Sequence, residues 1–409
     1  MLGRILHSLW LLLVGMLALF AILLSIARLW VPVLGEYRLA AETALGEMLD
    51  QPVTIGRMDA TWRGLNPVIK LREVSIAPRE AEGTPLELAE VWVGIDIQAF
   101  LHEREIRPSS IDIIGAGLTL TRGPDGQLRV EGIEPGAGDG TGLSRLLLMQ
   151  RLAIHDSRVT FKDQASGRAP LRLSDVTLTL QNEQGRYSAI GYILLPPELG
   201  YRIDIQAMLQ GGGPEPADWS GKFYLKGQSL VLSTENLPGL PHQAQVAGNA
   251  DVRAWLEIGG GRLRSAVGEV DLGDLQVAAA GDGEHLEFDR FSGQLGWRSH
   301  NAGWQLAGQD LVVEQDGIVR EGTRFAVTEM HSGDEPRIVA DFRRLHLRDL
   351  RLVALLAPGV DVEQQRQLSR LRPDGMIEEL LLRISGAAGD RSLDWFDAVF
   401  RDVAVGHPG

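Results

Sequence analysis

The sequence predicts a mainly β protein, in which an N-terminal transmembrane helix is followed by an elongated, curled antiparallel β-sheet with a few short helices. Three observations predict this fold class. Residues 5–27 carry no formal charge, apolar side chains alternate along most of residues 53–347, and a four-residue phrase recurs at which that alternation changes phase. At 409 residues the chain exceeds the length that one compact core usually supports, which favours several domains or one extended architecture.

The uncharged segment is long enough to cross a membrane. At about 1.5 Å per helical residue, residues 5–27 reach roughly 34 Å, and the hydrocarbon core of a bilayer is about 30 Å thick. A cleaved signal peptide is the competing interpretation, but its apolar region runs for only about 7–15 residues and ends in small residues. We therefore predict a cytoplasmic tail and an uncleaved anchor over residues 1–32, with everything that follows exported from the cytoplasm.

One amphipathic helix is predicted soon after the anchor. Between Glu36 and Leu49 the apolar residues recur at the i, i+3, i+4, i+7 spacing of a helix face, and Asp50-Gln51-Pro52 ends the pattern. We expect this helix to pack against the end of the sheet.

The recurring phrase is a leucine, one spacer residue, an acidic residue and an apolar residue. Apolar side chains alternate before and after it, but one residue out of step. Because strand side chains switch face at every residue, such a slip would turn the apolar set to the other face unless the backbone bulges or bends there. The sequence thus predicts strands that keep one apolar face while the sheet curls, although ordinary bulges in a closed β-sandwich fit the same pattern. The copies are Leu71-Arg72-Glu73-Val74, Leu88-Ala89-Glu90-Val91, Leu173-Ser174-Asp175-Val176 and Leu347-Arg348-Asp349-Leu350.

The predicted strands are mostly short and are separated by glycine or polar residues. Such residues divide Gly221 to Lys226 from Ser229 to Ser233, Leu263 to Val270 from Leu275 to Ala279, and Gly303 to Leu306 from Leu311 to Glu314. Helical patterns are few and local, at residues 98–104, 143–151, 348–356 and 360–371. Because so few helices cannot cover both faces of so many strands, one face must meet water, a second sheet or a ligand.

Composition and motifs argue against several classes of function. The net charge is −14, with 40 basic against 54 acidic residues and no long basic run, so we expect no nucleic-acid partner. The chain has no cysteine, which excludes disulfides and thiolate metal sites. It also lacks the phosphate-binding loop Gly-x-x-x-x-Gly-Lys-Ser/Thr, the zinc motif His-Glu-x-x-His and the nucleophile motif Gly-x-Ser-x-Gly. We therefore predict that the protein is not an enzyme and has neither a metal site nor a cofactor.

Motifs near both ends of the chain resemble those of a known family. The segments Gln51-Pro52-Val53-Thr54-Ile55-Gly56, Ala60-Thr61-Trp62-Arg63-Gly64-Leu65-Asn66-Pro67 and Leu371-Arg372-Pro373-Asp374-Gly375 are similar to segments of the YhdP family of AsmA-like proteins. The resemblance reaches from Met1 to about Leu382, with looser patterning between the ends.

The resemblance implies a fold, a function and partners. Such proteins are bridge-like lipid transporters, anchored by one helix in the inner membrane of Gram-negative bacteria. Their taco-like β-groove carries phospholipid through the periplasm towards the outer membrane and supports its permeability barrier. Phospholipid, the inner membrane, and the outer membrane or envelope proteins are the expected partners. Family members run far past this length, so we expect this chain to be a truncated N-terminal part.

The same resemblance implies a division of the exported chain. It places an N-terminal AsmA/chorein-like helix and groove segment at residues 33–134. Further groove segments follow at residues 143–409, which resemble the family's domain of unknown function, and the Gly-rich stretch Pro135 to Gly142 is a plausible seam between the two.

The lipid-facing positions follow from the phase of the apolar alternation together with the resemblance. A closed sandwich core fits the same positions, and a membrane-anchored periplasmic scaffold that conducts no lipid stays open as the alternative function. An envelope hydrolase ranks last, because it needs inward-facing carboxylates whose burial among apolar side chains is costly. The predicted groove-lining residues are Ile69, Leu71, Val74, Ile76, Val91, Val93, Ile95, Leu118, Leu120, Leu178 and Leu180.

Overall fold

The structure, a computed structural model, falls into two compact units, Met1–Gly185 (unit 1) and Arg186–Gly409 (unit 2). The domain limits predicted at residues 33–134 and 143–409 stay a prediction. The structure describes residues 10, 13–18, 38–49, 51–64, 66–78, 85–96, 108–124, 128–132, 149–164, 169–211, 218–235, 244–279, 285–300, 302–332, 335–349, 373–386 and 392–405.

Of the predicted anchor, residues 1–32, the structure describes residues 10 and 13–18, which are helical. The rest of the anchor lies outside the described residues. No helix in the described part of the chain combines the length and apolarity needed to cross a membrane. The helical patterns at 98–104 and 360–371 also lie outside the described residues, as do most of 143–151 and 348–356.

The described residues of unit 1 from 38 onwards form helix α1 at Arg38–Leu49 and eight strands. The strands are β1 Val53–Arg63, β2 Asn66–Ile76, β3 Leu86–Ile95, β4 Pro108–Ile114, β5 Gly117–Arg122, β6 Leu128–Val130, β7 Arg151–Asp163 and β8 Leu171–Glu183. Strands β1 to β4 pair in sequence order and antiparallel, as do β5 with β6 and β7 with β8.

The exception to the antiparallel prediction is β7, which runs parallel to both β4 and β5. Its first half pairs with β4 and its second half with β5, because Gly115 and Ala116 divide the predicted strand Ile111 to Arg122 into two. Gly115 has a φ of +66°, a conformation that glycine adopts without strain. Parallel neighbours need a connection of about a dozen residues or more, and residues 131–150 supply it.

The described residues of unit 2 form an antiparallel meander of eleven strands. They are β9 Arg186–Leu194, β10 Arg202–Gln210, β11 Ser220–Ser233, β12 Ala244–Gly259, β13 Arg262–Ala279, β14 His285–His300, β15 Gly303–Gln315, β16 Ile318–Ser332, β17 Glu335–His346, β18 Pro373–Ser385 and β19 Ser392–Val405. Each strand pairs with its sequence neighbours within the unit. In the described part of unit 2, β9 and β19 do not pair with each other, so this sheet is open. The prediction of a mainly β chain with few helices is confirmed.

Three predicted strand breaks are wrong, because a bulge interrupts the alternation without ending the strand. The two halves predicted around residues 227–228 form the single strand β11, those around 271–274 form β13, and those around 307–310 form β15. Strands β18 and β19 were not predicted.

Left-handed residues bend these strands at recurring positions. In unit 2, one glycine faces two residues of the next strand, and the first of the two is an aspartate with a φ near 50°. Such a two-against-one arrangement is a β-bulge, which bends the strand and increases its twist. The three copies are Gly248 facing Asp274 and Leu275, Gly293 facing Asp310 and Leu311, and Gly375 facing Asp402 and Val403.

The glycine in this arrangement has a steric reason. Gly293 has a φ of +152°, and a Cβ atom on this residue would lie 2.6 Å from Leu311 Cδ2 and 3.0 Å from Leu311 Cα. A Cβ on Gly375, at φ +117°, would lie 2.7 Å from the Asp402 carbonyl oxygen. Any larger residue would therefore force the two strands apart.

Of the four predicted phase-change phrases, two contain a left-handed residue, Glu73 at φ 56° and Asp175 at φ 49°. Leu71 and Val74 are both 4% exposed in one cluster, so this strand keeps its apolar face as predicted. Glu90 pairs opposite Arg72 in a regular register, so no bulge is needed there. Leu347–Asp349 form a 3₁₀ turn instead of a strand bulge, and Leu350 lies outside the described residues.

Candidate functional site

The candidate site is the uncharged face of the sheet in each unit. In unit 1, residues that lie opposite one another on successive strands form two rows without a polar side chain. One row is Ala60, Ile69, Val93, Ile111, Leu152 and Leu180, and the other is Met58, Leu71, Val91, Ile113, Ile154 and Leu178. Cross-strand neighbours share a face, so each row is a continuous apolar stripe across six strands.

Unit 2 repeats this construction over all eleven of its strands. Row 1 is Ala189, Ala207, Phe223, Leu256, Ala266, Trp297, Leu306, Val327, Ala340, Leu382 and Phe396. Row 2, two residues along each strand, is Gly191, Ile205, Leu225, Ala254, Gly268, Leu295, Gly308, Phe325, Phe342, Leu380 and Ala398. At about 4.8 Å between strands, each row runs for roughly 50 Å without a charge.

The opposite face of unit 2 is polar. The residues next to row 1 on this face, in register from β9 to β19, are Ser188, Met208, Lys222, Glu257, Ser265, Arg298, Gln305, Thr328, Val339, Arg383 and Trp395, of which eight are polar. Arg253 and Glu269 pair across strands at 3.0 Å on this face. Rows 1 and 2 contain no charged side chain, whereas the facing-away positions include Lys222, Glu257, Arg298 and Arg383, so the rows are chemically suited to hydrocarbon.

The uncharged face of unit 2 is not covered like a core. Phe223, Leu256, Trp297, Leu306 and Val327 are all half-buried. Each described strand of the unit contacts chiefly its ladder neighbours. Since a second packed layer would bury these side chains almost completely, the described residues leave the face accessible.

Closed packing occurs in separate clusters. In unit 2 one cluster contains Val246, Leu275, Val277, Leu286, Phe288 and Val313, and a smaller one contains Leu345, Leu347 and Ile377. Val277 is 1% exposed, in contrast to the half-buried rows. Leu275 follows the bulge residue Asp274 directly. The bulge therefore lies between the part of β13 that contributes to rows 1 and 2 and the C-terminal part that belongs to the packed cluster.

Unit 1 has the same division, with α1 as the cover. Ala41, Leu45 and Leu49 of α1 pack on a cluster that includes Ile55 and Val74, which confirms the predicted packing role of the helix. The Arg38 guanidinium donates to the Ile55 carbonyl at 2.8 Å, and the Ile55 N–H donates to Glu42 at 2.8 Å. These two bonds attach the polar side of α1 to β1.

The structure places the predicted groove residues in two environments. Four lie in the packed cluster beside α1: Leu71, Val74, Ile76 and Val91. The others are half-buried, namely Ile69, Val93, Ile95, Leu118, Leu120, Leu178 and Leu180, and the first two and Leu118 pack against the same cluster. Six of the eleven, Ile69, Leu71, Val91, Val93, Leu178 and Leu180, belong to the two unit 1 rows. Their contact with lipid stays a prediction.

Sequence reasoning missed the longer rows of unit 2 and the bulges that accompany them. The signal was present as an apolar or glycine residue, a spacer, an aspartate and an apolar residue. It occurs at Leu272-Gly273-Asp274-Leu275, Gly308-Gln309-Asp310-Leu311 and Phe400-Arg401-Asp402-Val403, where the first residue is not always leucine.

Ionisable groups on the described residues pair with one another. On the polar face of unit 1, Asp112, 2% exposed, accepts from Arg63 at 2.6 Å and from Arg151 at 3.1 Å. In unit 2, hydrogen bonds from Arg290 lower the pKa of Asp271 below its ordinary value. Among the described residues there is no group of three or more His, Asp or Glu side chains that could hold a metal ion.

Comparison with known proteins gives one match. Neither the curated proteins nor the solved structures contain a match to this chain. A protein-family model, described as YhdP protein, matches residues 1–406. This match covers nearly the whole chain and confirms the resemblance seen in the sequence. The chain belongs to the YhdP family.

Proposed function

We propose that this protein is a lipid carrier of the cell envelope, anchored in the inner membrane, which moves phospholipid through the periplasm towards the outer membrane along its uncharged rows. It does so as a conduit, without covalent chemistry. The observation that supports this most directly is the pair of charge-free rows across the eleven strands of unit 2, whose large apolar side chains are half-buried or exposed. Membership of the YhdP family supports the envelope setting.

The free-energy requirement explains why rows of this kind suit the task. Exposure of a methylene group to water costs about 0.8 kcal/mol, so a lipid with two chains of some sixteen carbons faces on the order of 25 kcal/mol in the aqueous periplasm. A continuous apolar surface reduces this cost at every position along the path. Because neighbouring positions are similarly apolar, a lipid can slide along them without escaping from a tight site.

A photocrosslinking experiment tests the proposal. A photoreactive phenylalanine analogue replaces Leu306 in row 1, and in a matched control it replaces the adjacent Gln305 on the polar face. Both positions lie on β15, so they differ chiefly in the face they occupy. After irradiation in Gram-negative cells and purification, mass spectrometry should detect phospholipid adducts with the analogue at 306 and few or none at 305.

Two outcomes would contradict the proposal. Equal adducts at both positions would mean that lipid contacts the sheet without regard to face. No adduct at either position, in protein that remains folded, would favour the scaffold that conducts no lipid.

A further inference from the structure

One stretch of the polar face of unit 2 is free of charge. From β11 to β16, the residues that lie between rows 1 and 2 along each strand, on the opposite face, form a row without a charged side chain. Trp255 and Val267 in this row are 43% and 46% exposed, although both of their strands are paired along both edges. A contiguous apolar stretch on a solvent-facing sheet surface indicates a contact surface. This outer row consists of Tyr224, Trp255, Val267, Gly296, Ala307 and Ala326.

The outer row forms a ridge beside a recess. On the ridge, the ring centroids of Tyr224 and Trp255 lie 5.5 Å apart, and Val267 is the next residue of the row. The row continues over the next three strands with one glycine and two alanines. A Cβ atom on Gly296 would meet no atom within 4 Å apart from those of its chain neighbours, so the space above this residue is open. A partner can therefore insert an apolar side chain here, against the wall that Val267 provides.

The surface around the outer row is basic. The outer row and the two rows that flank it on this face contain, from β11 to β16, five basic and two acidic side chains, a net charge of +3 in a chain whose net charge is −14. Glu269 pairs with Arg253, and Glu257 accepts a hydrogen bond from Ser265. The other four basic side chains form no ion pair or hydrogen bond with the residues that the structure describes. They are Lys222, Lys226, Arg298 and Arg324.

These four basic side chains lie on both flanks of the outer row. Lys222 and Arg298 belong to the flank next to row 1, and Lys226 and Arg324 belong to the opposite flank. At about 3.4 Å per strand residue, the two flanks are roughly 14 Å apart, which leaves room for a peptide segment between them.

Charge and shape together favour one kind of partner. A two-fold contact with a second copy would set two basic surfaces against each other, which is unfavourable. A bilayer accepts side chains that project into it, whereas this recess needs a partner that projects into the protein. A protein segment with apolar side chains for the recess and carboxylates for the flanks satisfies both requirements.

We propose that the outer row of unit 2 binds an acidic, amphipathic segment of a second protein. The apolar side chains of that segment fill the recess beside Val267, and its carboxylates pair with the basic side chains on both flanks. The proposal is independent of lipid transport, because the outer row lies on the face opposite rows 1 and 2.

Site-specific photocrosslinking tests the proposal in Gram-negative cells that express the full-length chain. A photoreactive phenylalanine analogue replaces Val267 or, as the control, Gln276, which is exposed on the same strand outside the outer row. We expect a discrete protein adduct with the analogue at 267 and none at 276. Mass spectrometry of the adduct should identify a segment of a second protein with a net negative charge. That segment, synthesised as a peptide, should bind the purified full-length protein in detergent.

Charge reversal tests the role of the flanks. Arg298→Glu combined with Arg324→Glu should weaken binding of the peptide by about tenfold or more, because each substitution replaces an attraction by a repulsion. The matched control combines Arg337→Glu with Arg383→Glu, which change the net charge equally at exposed positions of the same face on β17 and β18. The control protein should bind the peptide as the unsubstituted protein does.

Filling the recess tests its shape without changing a charge. Gly296→Leu should be tolerated by the fold, because Gly296 does not have a left-handed backbone and its Cβ would meet open space. We expect it to weaken binding of the peptide by about tenfold or more, since the leucine occupies the place of the partner's side chain. Gly117→Leu in unit 1 is the control, because a Cβ there also meets nothing within 4 Å.

No protein adduct at 267, an adduct with lipid or with the chain itself, or an adducted segment without a net negative charge would each overturn the proposal. Peptide binding that survives Gly296→Leu or the reversal of Arg298 and Arg324 would overturn it as well.

Discussion

Single residues decide where the strands bend. The bulge residues of β13, β15 and β19 are Asp274, Asp310 and Asp402, with φ angles of 49°, 51° and 52°. Left-handed backbone is costly for most L-residues, but aspartate tolerates it because its short side chain forms local hydrogen bonds. Asp274 also accepts a hydrogen bond from the Asn249 side-chain amide on the neighbouring strand β12 at 3.2 Å. The aspartates therefore support the bent backbone at the bulges.

We expect Asp274→Val to lower the free energy of unfolding by about 1–2 kcal/mol, because a β-branched side chain is strained in the left-handed region. Gln276→Val is the matched control on the same strand, where the exposed glutamine has ordinary strand geometry and valine should be tolerated. Urea denaturation of both variants measures the difference. Equal stability of the two variants would show that the bulge does not constrain its residue type.

His346, at the end of β17, gives the stability a pH dependence. Burial lowers its pKa below 6.5, opposed by Asp349 and reinforced by Arg320 and Arg344. The unfolded chain therefore binds a proton at this site more readily than the folded chain, and stability should fall as the pH drops from about 7 to about 5. His346→Gln should flatten this slope in denaturation curves recorded across that range. An unchanged slope would exclude His346 as its source.

At the scale of elements, a buried ion pair holds the 3₁₀ turn after β17 onto β16. Arg320 donates to Asp349 at 2.8 and 3.1 Å, with the two side chains only 7% and 9% exposed. Gln315 accepts a further hydrogen bond from Arg320. On the outside of the turn, Arg348 and Asp374 form two hydrogen bonds, which connect the turn to β18.

Asp349→Ala should cost about 3–5 kcal/mol of stability, because it leaves the buried Arg320 guanidinium without a negatively charged partner. Replacing both residues by apolar ones, Arg320→Met with Asp349→Leu, should recover most of that loss. The control is Glu269→Ala, which breaks the exposed pair with Arg253 and should cost no more than about 1 kcal/mol. Chemical denaturation measures all three. A small effect of Asp349→Ala would show that the turn is held by other contacts.

The elements also show what sequence reasoning can reach. Alternation identified the β class, and helical spacing identified α1, since both are local patterns. Sequence reasoning failed where one glycine or aspartate shifted the phase of the apolar alternation, as in β13, because the pattern of one bulged strand then resembles that of two separate strands. It also failed at β7, where parallel pairing depends on which distant strands meet. Six of eleven predicted groove residues fall into the two unit 1 rows, and Leu71, Val74, Ile76 and Val91 lie in the packed cluster, because alternation alone does not distinguish a packed apolar face from an accessible one.

At the scale of the whole molecule, a lipid that slides along the rows as we propose must pass every position in turn, so one charged position should stop passage. Leu178→Asp places a carboxylate in a unit 1 row, and Thr179→Asp, the next residue of β8, places the same group on the opposite face. We expect Leu178→Asp to abolish transport while the purified protein still carries lipid in its other rows. Thr179→Asp should have little effect.

The test uses cells in which the only copy of the gene encodes one of the two variants. The measurement is the sensitivity of these cells to detergent and to large antibiotics. Lipid extracted from the purified variants reports loading separately. Intact barrier function with Leu178→Asp would contradict serial passage through this row.

The glycine-and-aspartate bulge has a consequence for how such a chain can change length. Gly248 of β12 faces the bulge at Asp274 in the same way that Gly293 of β14 faces the bulge at Asp310. Each pair of neighbouring strands therefore contains its own bulge, at which the sheet bends. Loss of β13 and β14 would bring Gly248 against Asp310 and shorten the sheet by about 10 Å with its cross-section preserved. Duplication of two paired strands would lengthen the sheet by the same step of about 10 Å. Gain or loss of paired strands in the gene can therefore change the length of such a sheet in fixed steps.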